Sequence, residues 1–187
     1  MSTQSVEQIQ IQIDFFTRYL GGINGGINQE IERLGHQFTP SPALSSGTTV
    51  NKFDRVLWIG PTTIVSAATR DLNMQDGTEW QYGASTASDV LGNAISIAEI
   101  VGLLLISTAN SVGILQIGAA ASNQWTAPFA GSGAPTTSKI PVHPNGAFLL
   151  YSAKDPAYAV TGSDKLLRLT ASGGNVEFKG VAFGRSA

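Results

Sequence analysis

Two histidines, His36 and His143, are the side chains of this 187-residue chain that ordinarily titrate near neutral pH. No cysteine accompanies them, which excludes a Cys–His nucleophile, a disulfide framework and a thiolate metal site. Serines and aspartates are present, so counting leaves a Ser–His–Asp arrangement open, but no Gly-x-Ser-x-Gly elbow nominates a serine. His-Glu-x-x-His, the P-loop pattern and Gly-x-Gly-x-x-Gly are absent as well. The richest set of oxygen ligands is Asp71, Asn73, Gln75, Asp76 and Glu79. A calcium loop of the EF-hand kind wants glycine sixth and glutamate twelfth; here those positions hold Asp76 and Tyr82, and Asp76-Gly77 reads as turn chemistry. Asp54, Asp71, Asp76, Glu79, Asp89 and Glu99 show no spacing that singles out a pair for glycoside hydrolysis. Trp58, Trp80, Tyr82 and Trp125 suit either a sugar-stacking face or a core. No catalytic residue, metal ligand or cofactor is assigned, and the chain reads as a non-enzyme.

Composition narrows the partners. Charged residues make up 13% of the chain, against about 25% in average soluble domains, while 42% are hydrophobic. A surface of Ser, Thr, Gly, Ala, Asn and Gln is expected where much of the exterior packs against copies or a partner. The net charge is −2 with no basic cluster, so a nucleic acid is not expected. Residues 1–12 carry no Lys or Arg and do not resemble a secretory leader. The most apolar run, Ile95 to Ile106, contains Glu99 and is too short to span a bilayer, so no membrane partner is expected.

Three regions differ in texture: an arm (1–36), a Pro/Ser/Thr-rich linker (37–50) and a β-domain (51–187). In the arm, Val6, Ile9, Ile13, Phe16, Leu20, Ile23 and Ile27 recur at spacings of 3 and 4, the seam that keeps one helical stripe against a partner. The spacing predicts a partly helical extension, and these seven residues are the expected oligomer or capsid interface. Gly21, Gly22, Gly25 and Gly26 oppose it, each costing about 1 kcal/mol inside a helix. Ile9, Ile11 and Ile13 alternate with glutamines, which leaves a strand reading open. From residue 51, short apolar runs alternate with Gly, Asn, Pro and Ser turns, which predicts an all-β sandwich, jelly roll or small barrel. Expected strands include Phe53–Ile59, closed by Gly60-Pro61, then Thr62–Ala68, Thr78–Tyr82 and Ile95–Ile100. Gly102–Ser107 reads as buried on both faces, and Ser172-Gly173-Gly174-Asn175 as the turn of a hairpin.

The stretches GLLLISTANSVGILQIGA, APFAGSGAPTT, PVHPNGAFLLYS and LLRLTASGGNVEFKGVAFGRSA, together covering about residues 95–187, resemble small structural proteins of tailed bacteriophages. The resemblance implies a β-sandwich or jelly-roll capsid-decoration (cement) protein, expected to form a homo-oligomer, commonly a trimer. Its implied partner is the major capsid protein or another virion protein. Its implied place is the capsid surface, after synthesis in the host cytoplasm. A fibre, collar or tail component, or a carbohydrate-binding β-sandwich module, is the alternative. Residues 51–94 carry no such resemblance.

Overall fold

The computed structural model describes residues 13–15, 36–38, 45–80, 88–89, 93–118, 120–129, 138–152 and 154–186. Thirteen strands account for most of them: β1 (Ile13–Phe15), β2 (His36–Phe38), β3 (Ser45–Ser46), β4 (Lys52–Phe53), β5 (Arg55–Ile64), β6 (Thr69–Asn73), β7 (Ile97–Ser107), β8 (Ile114–Ile117), β9 (Ile140–Val142), β10 (Ala147–Tyr151), β11 (Tyr158–Ala159), β12 (Leu166–Ser172) and β13 (Val176–Ser186). Among the described residues the sole helical element is a 3-10 turn, Ala127–Phe129. The all-β class expected from the alternating pattern is what the described residues adopt.

Two antiparallel sheets make the body. The first has the order β10–β7–β13–β5, with β11 prolonging the β10 edge along β7; the second has the order β6–β12–β8–β9. The pairing is nested. β5 pairs with β13, β6 with β12, β7 with β10 and β11, and β8 with β9. The further ladders β7–β13 and β8–β12 complete the two sheets. Five short connections, after β5, β7, β9, β11 and β12, each carry the chain from one sheet to the other.

The period of two decides what is buried. On β12, Leu167, Leu169 and Ala171 are buried while their neighbours are half-buried. Leu57, Ile59, Leu103, Leu105, Phe178 and Ala182 of the first sheet join Leu72, Leu115, Ile117 and Leu169 of the second in one apolar core. Trp125 is fully buried in that core; its indole N–H donates to the Ala159 carbonyl at 2.7 Å and its ring meets Tyr158 edge-on. Satisfying the single polar atom is what allows so large a side chain to be buried.

The sheet-crossing connections are bound to one another. The Asn175 carbonyl accepts the N–H groups of Val112 and Gly113, and its side-chain oxygen accepts the Ser66 N–H at 2.9 Å. A side chain at Gly113 would collide with the carbonyl oxygens of Gly174 and Ser172. Glu177, at the start of β13, accepts the Thr108 hydroxyl at 2.6 Å and the Asn110 amide at 2.9 Å. Those two bonds, the Thr108 one foremost, hold its carboxyl below the usual carboxylate range. A lowered folded-state pKa gives stability that is complete above the unfolded value and is lost as pH falls through the folded one. Acid is therefore expected to loosen the 108–113 connection, and Glu177→Gln to flatten that part of the pH dependence. Amide hydrogen exchange at Thr108–Gly113 between pH 3 and 6 is the measurement; equal acid sensitivity in the variant would remove Glu177 from the account.

Several sequence expectations change. Gly60-Pro61 does not end a strand: β5 runs through it, with a bulge opposite β13 between Phe178 and Gly180. Proline is tolerated there because β5 is an edge strand and a bulge needs no ladder N–H from that residue. Ser172–Asn175 is not a hairpin turn; β12 and β13 lie in different sheets, and both edges of β12 are taken by β6 and β8. Ile95–Ile100 and Gly102–Ser107 are not two strands but the single β7, bulged where Phe183 and Gly184 face Gly102 and Ile100. Thr78–Trp80 is a turn, with Asp76 accepting the Thr78 N–H and hydroxyl, and Tyr82 lies outside the described residues. The strand falls earlier, at Thr69–Asn73.

The described residues of the arm are strand rather than helix. Ile13 pairs with Phe38, Asp14 with Gln37 and Phe15 with His36. A β-branched residue and two phenylalanines favour strand, and the intervening glycine pairs penalise a continuous helix. Val6, Ile9, Phe16, Leu20, Ile23 and Ile27 lie outside the described residues. The expected linker is partly ordered: β3 pairs in parallel with β4, and the Gly47 N–H donates to the Phe53 carbonyl at 2.8 Å.

Candidate assembly surface

The residues first weighed for chemistry are not brought together. His143 sits in the β9–β10 connection, its carbonyl accepting the Gly146 N–H, while His36 is paired to Phe15 in β1. Asp71 makes a two-pronged pair with Arg168 across β6 and β12, at 2.7 and 2.6 Å, and the pair raises the Arg168 pKa, its hydrogen bond foremost. Glu79 pairs with Arg70. Asp89 is buried and accepts the N–H groups of Val56 and Asn93. These carboxylates close backbone and cross-strand contacts. Among the described residues no three His, Asp or Glu side chains converge on a metal position. Trp80 and Trp125 are buried, so they belong to the core and not to a sugar-stacking platform.

The unusual surface is the outer side of the first sheet. Its ladders align three rows across the strands. Directly opposed residues share a face, so Leu150, Leu103, Ala182 and Leu57 point together into the core. The next row, Leu149, Leu104, Val181 and Trp58, must point outward. On one side of it lies the row of Tyr151, Gly102, Phe183 and Val56, and on the other Ala147, Ile106 and Lys179. A solvated antiparallel face ordinarily carries polar residues. Here the central row is wholly apolar, Leu104, Leu149 and Val181 are half-buried, and Trp58 is 37% exposed. Charge appears only at the margin, with Lys179 and, beyond it, Glu177 opposite Thr63. An apolar centre with charge at the rim is the composition of a protein–protein contact. This corrects the reading of Gly102–Ser107 as buried on both faces: Leu103 and Leu105 are core residues, whereas Leu104 and Ile106 belong to the outer face and are half-buried.

The arm joins the body at one end of this face. Phe53 packs edge-on against Phe183, ring centres 5.3 Å apart, in a second apolar cluster with Val56 and Val101. Burial there pushes the neighbouring Tyr151 phenol up from its ordinary pKa of 10.0. Arg185 fixes the junction. It is 2% exposed, and its guanidinium donates to the Lys52 carbonyl at 3.0 Å, the Lys154 carbonyl at 2.7 Å and the Glu99 carboxylate at 2.8 Å. Glu99 also accepts the Ala157 N–H, and Asp54 accepts the Ser186 N–H and hydroxyl. Sequence reasoning passed over Arg185 because an arginine two residues from the end of the chain gives no sign of burial. Its spacing behind an apolar strand, Val181 to Phe183, was the available signal. No protein-family model, curated protein or solved structure gives a significant match to this chain.

Proposed function

We propose that the chain is a non-catalytic virion structural protein of the capsid-decoration type, a homo-oligomer, expected to be a trimer, that binds and stabilises a phage capsid. The observation that carries the reading is the apolar outer face of the first sheet, with charge confined to its rim. A lone subunit has no use for such a surface, whereas a subunit of a shell does. The nested pairing and the two sheet orders support the finer fold, a jelly-roll sandwich, an architecture recurrent in capsid and lectin domains. A chain that crosses five times between two sheets over short connections makes a stiff body, suited to presenting a face rather than to closing on a substrate. The seven arm positions Val6, Ile9, Ile13, Phe16, Leu20, Ile23 and Ile27 add apolar side chains for sister subunits or the major capsid protein to cover, although with Ile13 in a strand they do not all share one stripe. Each large apolar side chain fully buried there contributes about 1.5–3 kcal/mol before ordering costs.

Solution mass by light scattering, on the full chain and on a chain starting at Ser45, tests the oligomer. The full chain is expected to be a trimer or larger and the shortened chain smaller. Ile13→Asp combined with Leu20→Asp is expected to leave the β-domain's circular dichroism and melting intact and to abolish assembly. A double variant that assembles as the parent does would remove the arm from the mechanism. Compact monomers for both chains would turn attention to the carbohydrate-binding alternative.

A further inference from the structure

The arm and the outer face complete each other. In the β1–β2 ribbon the register puts Ile13 with Phe38 and Phe15 with His36 at positions of one face, and Asp14 with Gln37 at positions of the other. A two-stranded ribbon is marginal in water and needs an apolar surface beneath it. The row Leu149, Leu104, Val181 and Trp58 is such a surface.

The direction of the chain selects whose surface it is. β3 runs parallel to β4, Ser45 opposite Lys52 and Ser46 opposite Phe53. The Asp54 N–H bonds to the Gly184 carbonyl and keeps β4 in line with β5. The chain therefore passes through β3 in the direction that β5 then follows. Traced back from Ser45 it leaves beyond the first residues of β5, at the Val56–Phe183 end of the face and away from the Leu104 row. Seven backbone steps separate Phe38 from Ser45, a reach of about 25 Å fully extended. Returning to its own face would spend part of that reach on a reversal, whereas the outgoing direction leads away from its own Leu104 row.

We infer that the β1–β2 ribbon of one subunit lies on the outer face of the first sheet of a second copy, an exchange of arms between subunits. The inference rests on the homo-oligomeric reading above and names the contact that makes it.

The chain has no cysteine, so engineered thiols report only on the positions chosen. Full-length Phe15→Cys carrying a size tag is co-expressed with untagged full-length Leu104→Cys and oxidised. Leu149→Cys serves as a second face position, and Val112→Cys, 79% exposed at the sheet-crossing end, as a position that should not react. The expected result is a covalent product of one tagged and one untagged chain at Leu104 or Leu149, at least ten-fold over Val112, from variants that melt as the parent does. If the Phe15→Cys/Leu104→Cys double variant cross-links only within single chains, the arm folds back and the exchange is wrong. If neither face position reacts in a protein that light scattering shows to be oligomeric, the docking is wrong and the homo-oligomer stands. A monomer mass for the parent overturns both.

Discussion

Arg185→Ala is expected to cost about 3–5 kcal/mol of folding stability, the range seen when one partner of a buried ion pair is removed. The physical reason is the number of segments that one guanidinium joins. Its three nitrogens reach the Lys52 carbonyl at the arm's root, the Lys154 carbonyl in the β10–β11 connection and the Glu99 carboxylate on β7. Truncation takes the guanidinium donor from two carbonyls and the paired cation from Glu99, only 20% exposed. Each buried group so orphaned costs about 1–3 kcal/mol. In a chain of this size a loss of that order lowers the melting temperature by about 6–20 °C. Arg185→Lys is expected to recover less than half of it, because an ammonium on a flexible stem cannot bond in three fixed directions. Thermal unfolding followed by circular dichroism is the check. A shift below about 2 °C in Arg185→Ala would mean that the guanidinium is not what holds the junction.

How much of this was legible in the sequence depends on the range of the interaction. Local alternation and flanking turns predict strands over Lys139–Val142, Ala147–Ser152, Lys165–Thr170 and Val176–Phe183, and the strands formed are Ile140–Val142, Ala147–Tyr151, Leu166–Ser172 and Val176–Ser186. The same local signals failed where pairing decided the outcome. Gly60-Pro61 looks like a terminator until β5 is known to be an edge with a bulge. Ser172–Asn175 has the composition of a hairpin turn, but β6 and β8 had already claimed the two sides of β12. Glycines at 173 and 174, with φ of 76° and 156°, serve an arch as well as a hairpin. The apolar arm stripe was visible as a period, and its glycine pairs as an objection; at Ile13–Phe15 the strand geometry prevails. The outer face was only half legible. The run from Gly102 to Ser107 announced that both faces of one strand are apolar, but a single strand does not disclose whether the second face meets the same chain or another. What the alignment of Leu149, Val181 and Trp58 from three other strands beside Leu104 adds is that the second face is a continuous apolar row.

Leu103 and Leu104 turn that alignment into a sharp contrast. They are the same residue type, adjacent on β7, and a period of two sends them to opposite sides. Leu103 is fully buried between the sheets, so Leu103→Asp removes a core leucine worth about 2–5 kcal/mol. It also places a carboxylate in the core at a further several kcal/mol. That exceeds most of the 5–15 kcal/mol by which a domain is ordinarily stable, and no folded protein is expected. Leu104 is half-buried on the outer face, where a charged side chain can reach water, so Leu104→Asp should shift the melting temperature by only a few degrees. Its effect falls on association instead. A carboxylate at the centre of an apolar contact is expected to cost at least about 2 kcal/mol per interface, which is about a thirty-fold weaker association constant. Sedimentation velocity over a concentration series reads that loss, and circular dichroism in the same samples reads the fold. Unfolding of both variants would mean that the Leu104 row is interior. A Leu104→Asp protein that folds and assembles as the parent does would mean that the apolar face of the first sheet is not where subunits meet.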